Sequence, residues 1–199
     1  QECNDRQFQG STINAIAHWE FEIDPNNPDK IEDLLNQSEE VADIFGRFGD
    51  QSNKLNMRGL VFIQRKQPEE ALPLFEQALK IAQGRGNQPA IATITNNIGL
   101  AWDITGDKKK ALEYYLQAKK LYEAIYDKSG IAQTLYNAGN MYRQLEDSLN
   151  AIKFFEESIM IYDELENTRQ EIIKILPLLV GAYLSIDDLP KAIETLERC

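Results

Sequence analysis

The sequence predicts an all-α protein, a solenoid of antiparallel helix pairs. Three observations carry this. Ala71, Ala111 and Ala151 stand 40 residues apart, as do Gly59, Gly99 and Gly139. Two aromatic columns, Phe62/Trp102/Tyr142 and Phe75/Tyr115/Phe155, keep the same 40-residue interval. Between these columns, residues 96–126 read as two amphipathic helices with a sharp turn at Gly106-Asp107. Self-similarity at a fixed period of this size marks a solenoid, in which each unit buries its apolar face only by stacking on its neighbours.

Each column has a packing role. Gly and Ala belong where the two helices of a pair cross closely, and the aromatics fill the wider space beside them. Each fully buried large side chain contributes about 1.5–3 kcal/mol. A fourth copy follows one residue late, with Tyr183, Ala192 and Leu196 matching Tyr142, Ala151 and Phe155. Its glycine column reads Val180, with Gly181 one place off.

Along the chain, residues 1–50 are the least regular. Ile13 to Ile23 reads as a helix carrying Ile13, Ile16 and Trp19, stopped by Asn26-Asn27-Pro28. Pro28 opens a second helix with Ile31, Leu34, Leu35, Ser38, Val41 and Ala42 on one face. Pro28 precedes Pro68 by 40 residues, and Leu35 precedes Phe75 likewise, so residues 1–50 form a degenerate N-terminal repeat or cap. The array proper is 51–199, in four repeats: 52–89, 90–130, 131–170 and 171–199, the last truncated.

Within the array, a helix over 52–65 is followed by one opened by Pro68, and Pro73 removes a hydrogen bond inside that second helix. Gly84, Gly86 and Pro89 end it and start the next. Helices over 90–105 and 107–126 follow, with Asp107 as N-cap. Asp127-Lys-Ser-Gly130 and Asn167-Thr-Arg-Gln170 read as connecting turns around helices over 131–145 and 147–166. Helices over 171–186 and 188–199 complete the chain, with Pro177 early in the former. The last helix, at about 12 residues, is shorter than its counterparts of about 18–20, which predicts a natural chain continuing past Cys199.

At this point the chain resembles the tetratricopeptide repeat family. The resemblance rests on the Leu, Gly and aromatic positions of the first helix, the Gly-Asp turn, and the Ala and aromatic positions of the second, over residues 52–199. The 40-residue unit, and the segments Asn96-Asn-Ile-Gly99 and Tyr136-Asn-Ala-Gly139, look most like the family's long-repeat subgroup. The resemblance implies a right-handed superhelix whose first helices line a concave groove for a peptide or protein segment.

Taking Gly59, Gly99 and Gly139 as the eighth place, the family's groove-facing places fall on Asn53, Asn56, Met57, Leu60, Ile63 and Gln64; on Thr93, Asn96, Asn97, Leu100, Asp103 and Ile104; and on Gln133, Tyr136, Asn137, Asn140, Arg143 and Gln144. The last repeat offers Lys174, Leu178 and Leu184. The peptide-binding set expected from these is Asn56, Leu60, Asn96, Asn97, Leu100, Asp103, Gln133, Tyr136, Asn137, Asn140, Arg143 and Lys174. Asparagine presents both donor and acceptor, so it can bind the backbone of an extended peptide without selecting a side chain. It can equally bridge neighbouring helices, and the two roles are compatible. The five-residue carboxylate clamp of chaperone-tail-binding arrays does not fit: Asn96, Leu100 and Leu178 stand at three of its places.

Chemistry beyond binding finds little support. No phosphate-binding loop, zinc spacing or nucleophile elbow occurs. Gly84-Arg85-Gly86 reads as a helix stop, and the single histidine, His18, as structural or superficial. Cys3 and Cys199 lie at opposite ends, too far apart for a disulfide, which favours a reducing, cytoplasmic setting. Asn36-Gln37-Ser38 matches a glycosylation sequon but falls in a predicted helix. Glu39/Glu40, Glu69/Glu70 and Glu156/Glu157 read as solvated surface, Lys108-Lys109-Lys110 as an exposed helix start, and Tyr114, Tyr115, Tyr122 and Tyr126 as packing residues.

The net charge of −11 opposes binding to nucleic acid or an anionic membrane and favours a basic partner. No apolar run reaches the length of a membrane span, and no signal peptide is visible at the start. The expectation is a non-catalytic protein-interaction module with no cofactor or metal. The alternative is a regulatory or sensor region of a larger signalling enzyme, a protease or kinase, with its catalytic part beyond residue 199. Self-association through the solenoid ends is a further expectation.

Overall fold

The structure, a computed structural model, describes residues 27–45, 51–166 and 168–197. Among these, all regular structure is helical: α1 Pro28–Phe45, α2 Gln51–Gln64, α3 Pro68–Arg85, α4 Gln88–Thr105, α5 Lys108–Ala124, α6 Lys128–Gln144, α7 Ser148–Asp163, α8 Arg169–Leu184 and α9 Leu189–Glu197. The chain forms two compact units, Gln1–Thr105 and Gly106–Cys199.

One joint is used again and again. The backbone turns to positive φ at Lys66, Gly86, Gly106, Tyr126 and Glu146, one every twenty residues. The residue after each of these opens the next helix. Asn87, Asp107, Asp127 and Asp147 each accept, through Oδ1, the amide three residues on, at 3.0–3.2 Å. The amides of Gln67, Asn87, Asp127 and Asp147 also donate to carbonyls five residues back, at 2.9–3.0 Å. Asn87, Asp127 and Asp147 therefore each close the carbonyl end of one helix and cap the amide end of the next. The Asp107 carboxyl is held below its ordinary pKa chiefly by the Lys110 amide it accepts. Between Asp163 and Arg169 the phase slips by one residue, so the last joint uses Asp187 and Asp188. This slip is why the fourth copy runs one residue late.

In the first unit, Ile31 and Leu35 of α1 pack on Met57 and Val61 of α2, with Leu34 and Leu60 against them. Arg65 holds the same two helices together through Asp29 and through Glu32 at 2.7 Å. These carboxylates raise the Arg65 pKa further, Asp29 most. Helices α2 and α3 cross at Gly59, where a Cβ would stand 2.4 Å from the Phe75 ring. The buried Ser52 hydroxyl donates to the Ala78 carbonyl at 2.9 Å across that crossing.

In the second unit, α6 and α7 repeat this crossing. A Cβ on Gly139 would lie 2.8 Å from the ring of the fully buried Phe155. The hydroxyl now comes from the other helix: Ser158 donates to the Ala132 carbonyl at 2.7 Å. The core continues through Ile159, Tyr162, Ile175, Leu176, Leu179 and Tyr183 into α8. Lys108 caps a neighbour, donating from Nζ to the Gln144 carbonyl at the end of α6, at 3.1 Å. A cation is favourable there because helix C-termini carry partial negative charge.

Several expectations are corrected. Lys128–Gly130 is the first turn of α6 and not a connecting loop, because Asp127 accepts the Gly130 amide. Gly130 is required there by packing, since a Cβ would stand 2.3 Å from the Tyr122 ring. Helix α8 likewise begins at Arg169, within the segment expected to connect. Pro177 is its ninth residue, so it does not fall early in a late-starting helix. Gly84 lies inside α3, and Gly86, at φ 66°, makes the stop. Tyr126 packs on nothing: it is the positive-φ residue of a joint and 89% exposed. Gly181 is not a displaced copy of the crossing glycine, because it is exposed while Val180 is buried. Helix α9 spans nine residues and leaves Leu189, Ile193 and Leu196 exposed. The expected helix over 13–23, His18, Cys3 and Cys199 lie outside the described residues.

Two measurements test this account. Gly139→Leu should destabilise the protein by about 3 kcal/mol in urea unfolding, since the Phe155 ring has nowhere to go. Tyr126→Gly should raise stability by about 1 kcal/mol, because glycine relieves the left-handed backbone and an exposed ring loses no packing.

Candidate functional site

The first helix of each repeat carries the expected site residues, on α2 and α4 in the first unit and α6 and α8 in the second. The structure places them in unequal settings.

In the first unit, Asn56 and Asn97 are 6% and 7% exposed. Asn97 Nδ2 donates to Asn56 Oδ1 at 2.8 Å, joining α4 to α2. This bond uses one donor and one acceptor of the pair. The Asn56 amide N–H groups and the Asn97 carbonyl oxygen remain for another partner. Asn56 also lines a pocket of about 330 Å³ with Asn53, Asn87 and Thr93. Asn96 is buried at 7%, and Leu100 and Asp103 are half-buried. Leu60 packs against the α1–α2 core, and Met57 and Ile63 are core residues.

In the second unit, Gln133 is exposed and Asn137 half-buried. Tyr136 packs against the core, its ring centroid 6.3 Å from that of Phe155. Asn140 Oδ1 accepts from Arg143 Nη2 at 2.9 Å and from Nε at 3.3 Å, fixing the guanidinium on the helix surface. Arg143 then meets Leu178 across a pocket of about 500 Å³, which Glu146, Ser148, Pro177 and Gly181 also line. Lys174 stands apart from it and pairs with Glu171 at 2.9 Å.

Sequence reasoning passed over Asn87, Ser148 and Gly181 as pocket residues. Asn87 was detectable, since it stands at the same interval as Asp107, Asp127 and Asp147. Gly181 carried no such signal, because its role is the room it leaves.

A third pocket, of about 440 Å³, lies among α7, α8 and α9, lined by Glu156, Asp163, Tyr183, Lys191 and Glu194 with apolar neighbours. Tyr183 donates its hydroxyl to Glu156, and Lys191 Nζ sits 5.3 Å from the Tyr183 ring centre. Burial, then this hydrogen bond, pushes the Tyr183 phenol upward. Burial pushes Tyr162 up to about 12, with Glu171 and Tyr136 adding to it. Both shifts move away from neutrality, the reverse of what an acid–base catalyst needs. Among the described residues, no helix is long and apolar enough to cross a membrane.

Two sequence profiles described as tetratricopeptide repeat match residues 50–124 and 132–165, together more than half of the 199 residues. The chain belongs to the tetratricopeptide repeat family. No curated protein matches it in sequence. Solved structures do resemble it. BtubC (BKLC) from P. vanneervenii is 18% identical with a TM-score of 0.76, over 100% of this chain and 89% of that one. A Rap protein, solved in complex with competence and sporulation factor, is 20% identical with a TM-score of 0.78, over 94% of this chain and 51% of its own. A signal-transduction ATPase with numerous domains and a tetratricopeptide repeat sensor, from Pyrococcus horikoshii, is 18% identical with a TM-score of 0.78, over 96% and 30%. This chain thus spans about half of the Rap protein and less than a third of the ATPase. At these identities the likeness shows the fold, an all-α helical solenoid. Tetratricopeptide repeats generally serve as non-catalytic scaffolds in protein interaction or regulation.

The buried asparagine pair has a measurable consequence. Asn97→Ala should cost about 1–3 kcal/mol in chemical denaturation, because Asn56 is left buried without its donor. Replacing both should cost less than the sum of the single changes, as a double-mutant cycle would show.

Proposed function

We propose that this chain is a non-catalytic interaction module that holds an extended protein or peptide segment along its first helices. The Asn56–Asn97 pair is the observation that supports this most. It is buried, its two side chains fix each other, Asn56 lines a pocket, and among the described residues the Asn56 N–H groups and the Asn97 carbonyl oxygen keep hydrogen-bonding capacity. A peptide unit offers one N–H and one C=O, the complementary set. Asn137 on α6 repeats the place of Asn97 one period on and is proposed for the same role. In the first unit the proposed contacts are Asn56 and Asn97 to backbone, Leu60 and Leu100 to apolar groups, and Asp103, with Asn96 supporting from within; in the second they are Asn137 and Asn140 to backbone, Tyr136 to apolar groups, and Gln133, Arg143 and Lys174. The proposed organisation is a cap over 1–50 and an array over 51–199.

The charge of −11 favours a basic partner and works against nucleic acid or an anionic membrane. A reducing, cytoplasmic setting and the absence of any cofactor belong to the same proposal, as does self-association through the array ends. A second reading, a sensor region within a larger signalling enzyme, draws on the ATPase whose sensor has the same repeat fold.

The test compares wild type with the double variant Asn97→Ala/Asn137→Ala in a pull-down, with folding verified by circular dichroism. Loss of the partner by the double variant alone supports the first-helix site. Equal capture by both moves binding to another face. No captured partner would favour the second reading.

A further inference from the structure

The pocket between the α6–α7 joint and α8 pairs a fixed cation with empty space. Among the described residues, Arg143 bonds Asn140 and makes no ion pair, in a chain with 32 acidic residues against 21 basic ones. Asn140 occupies Nε and Nη2 on one edge of the guanidinium, and the fork keeps further N–H groups to offer. Glu146, three residues on at φ 62°, lines the same pocket, and among the described residues it makes no ion pair with Arg143. Across the pocket, Pro177, Leu178 and Ala182 form an apolar wall. Gly181 leaves that wall notched, for a Cβ there would meet no atom within 4 Å.

We propose that this pocket reads one acidic side chain of the bound segment, an aspartate or glutamate on Arg143, with an adjacent apolar residue in the notch over Gly181. The assignment rests on the first-helix binding site proposed above and adds its specificity. A carboxylate matches the planar guanidinium fork bidentately. At about 500 Å³ the pocket holds more than a single carboxylate, so the apolar wall recognises a neighbour. The overall charge of −11 and Glu146 repel an acidic run, so the ligand carries one acid here and none flanking it.

The experiment screens the 199-residue chain against a bead library of N-acetylated, C-amidated heptapeptides, and then measures Kd for enriched peptides. Aspartate or glutamate beside an aliphatic or aromatic residue should be enriched. Arg143→Gln should weaken those peptides at least about tenfold, the scale of a charge-assisted hydrogen bond. Glu146→Gln should tighten them, a sign that general loosening of the fold would not give. Gly181→Leu puts a side chain into the notch from a Cβ that meets no atom within 4 Å and gains helix propensity, so it should abolish binding while raising the unfolding midpoint. Peptides enriched without an acid, or unaffected by Arg143→Gln, would overturn the pocket assignment while leaving the asparagine site standing. Acid-free peptides that bind once resynthesised with a free C-terminal carboxylate would overturn the side-chain assignment. Failure of wild type to retain any peptide would overturn both readings.

Discussion

From α2 to α7 two or three residues separate each helix from the next, and each end exposes carbonyl or amide groups that must be satisfied. The joint that meets this demand is the constraint on which the rest depends. A left-handed residue turns the chain, and the next residue serves both helices. At Asn87, Asp127 and Asp147 its backbone amide goes back to the finished helix, and its side chain goes forward to the new one. The joint is two residues long, so within each unit successive helices are brought side by side with little freedom of direction. Packing then selects among the few arrangements left.

The crossings are the second constraint, and they obey a different interval. Gly59 against Phe75 and Gly139 against Phe155 bring helix pairs together where a methyl group would not fit. The Ser52–Ala78 and Ser158–Ala132 bonds occupy matching places with donor and acceptor exchanged. The hydroxyl sits between small residues and comes from either side of the crossing. That tolerance explains why alanine columns are plain in the sequence and the serines are not.

The fold was largely legible because its cause is periodic. Glycine, alanine and aromatic columns announced the crossings, and Asp107 announced its cap. The twenty-residue joint was harder to see, since its left-handed positions hold Lys66, Tyr126 and Glu146 as well as glycine, and no single residue type marks them. The Asx residues that follow, from Asn87 to Asp147, were the better marker. The positions proposed for the site could be counted from the sequence, but their state could not. Counting from the glycines located Asn56, Asn97, Asn140 and Arg143, but their mutual bonds depend on which helices lie adjacent. Gly130 shows the same limit: a turn residue by type, it is a packing residue because Tyr122 lies over it.

The joint and the crossing together restrict how such a chain can change over evolutionary time. Twenty residues are enough to return the backbone to an equivalent turn, so a single helix could be gained or lost without damaging any joint. Doing so would exchange the first and second helices of each pair in everything downstream, putting the large residues that stand twenty places after each glycine, Leu79, Lys119 and Ile159, where a crossing needs glycine. Duplication and deletion are therefore compatible with the packing only in multiples of two helices. The forty-residue period seen in the sequence is the smallest genetic step that leaves both joints and crossings in phase.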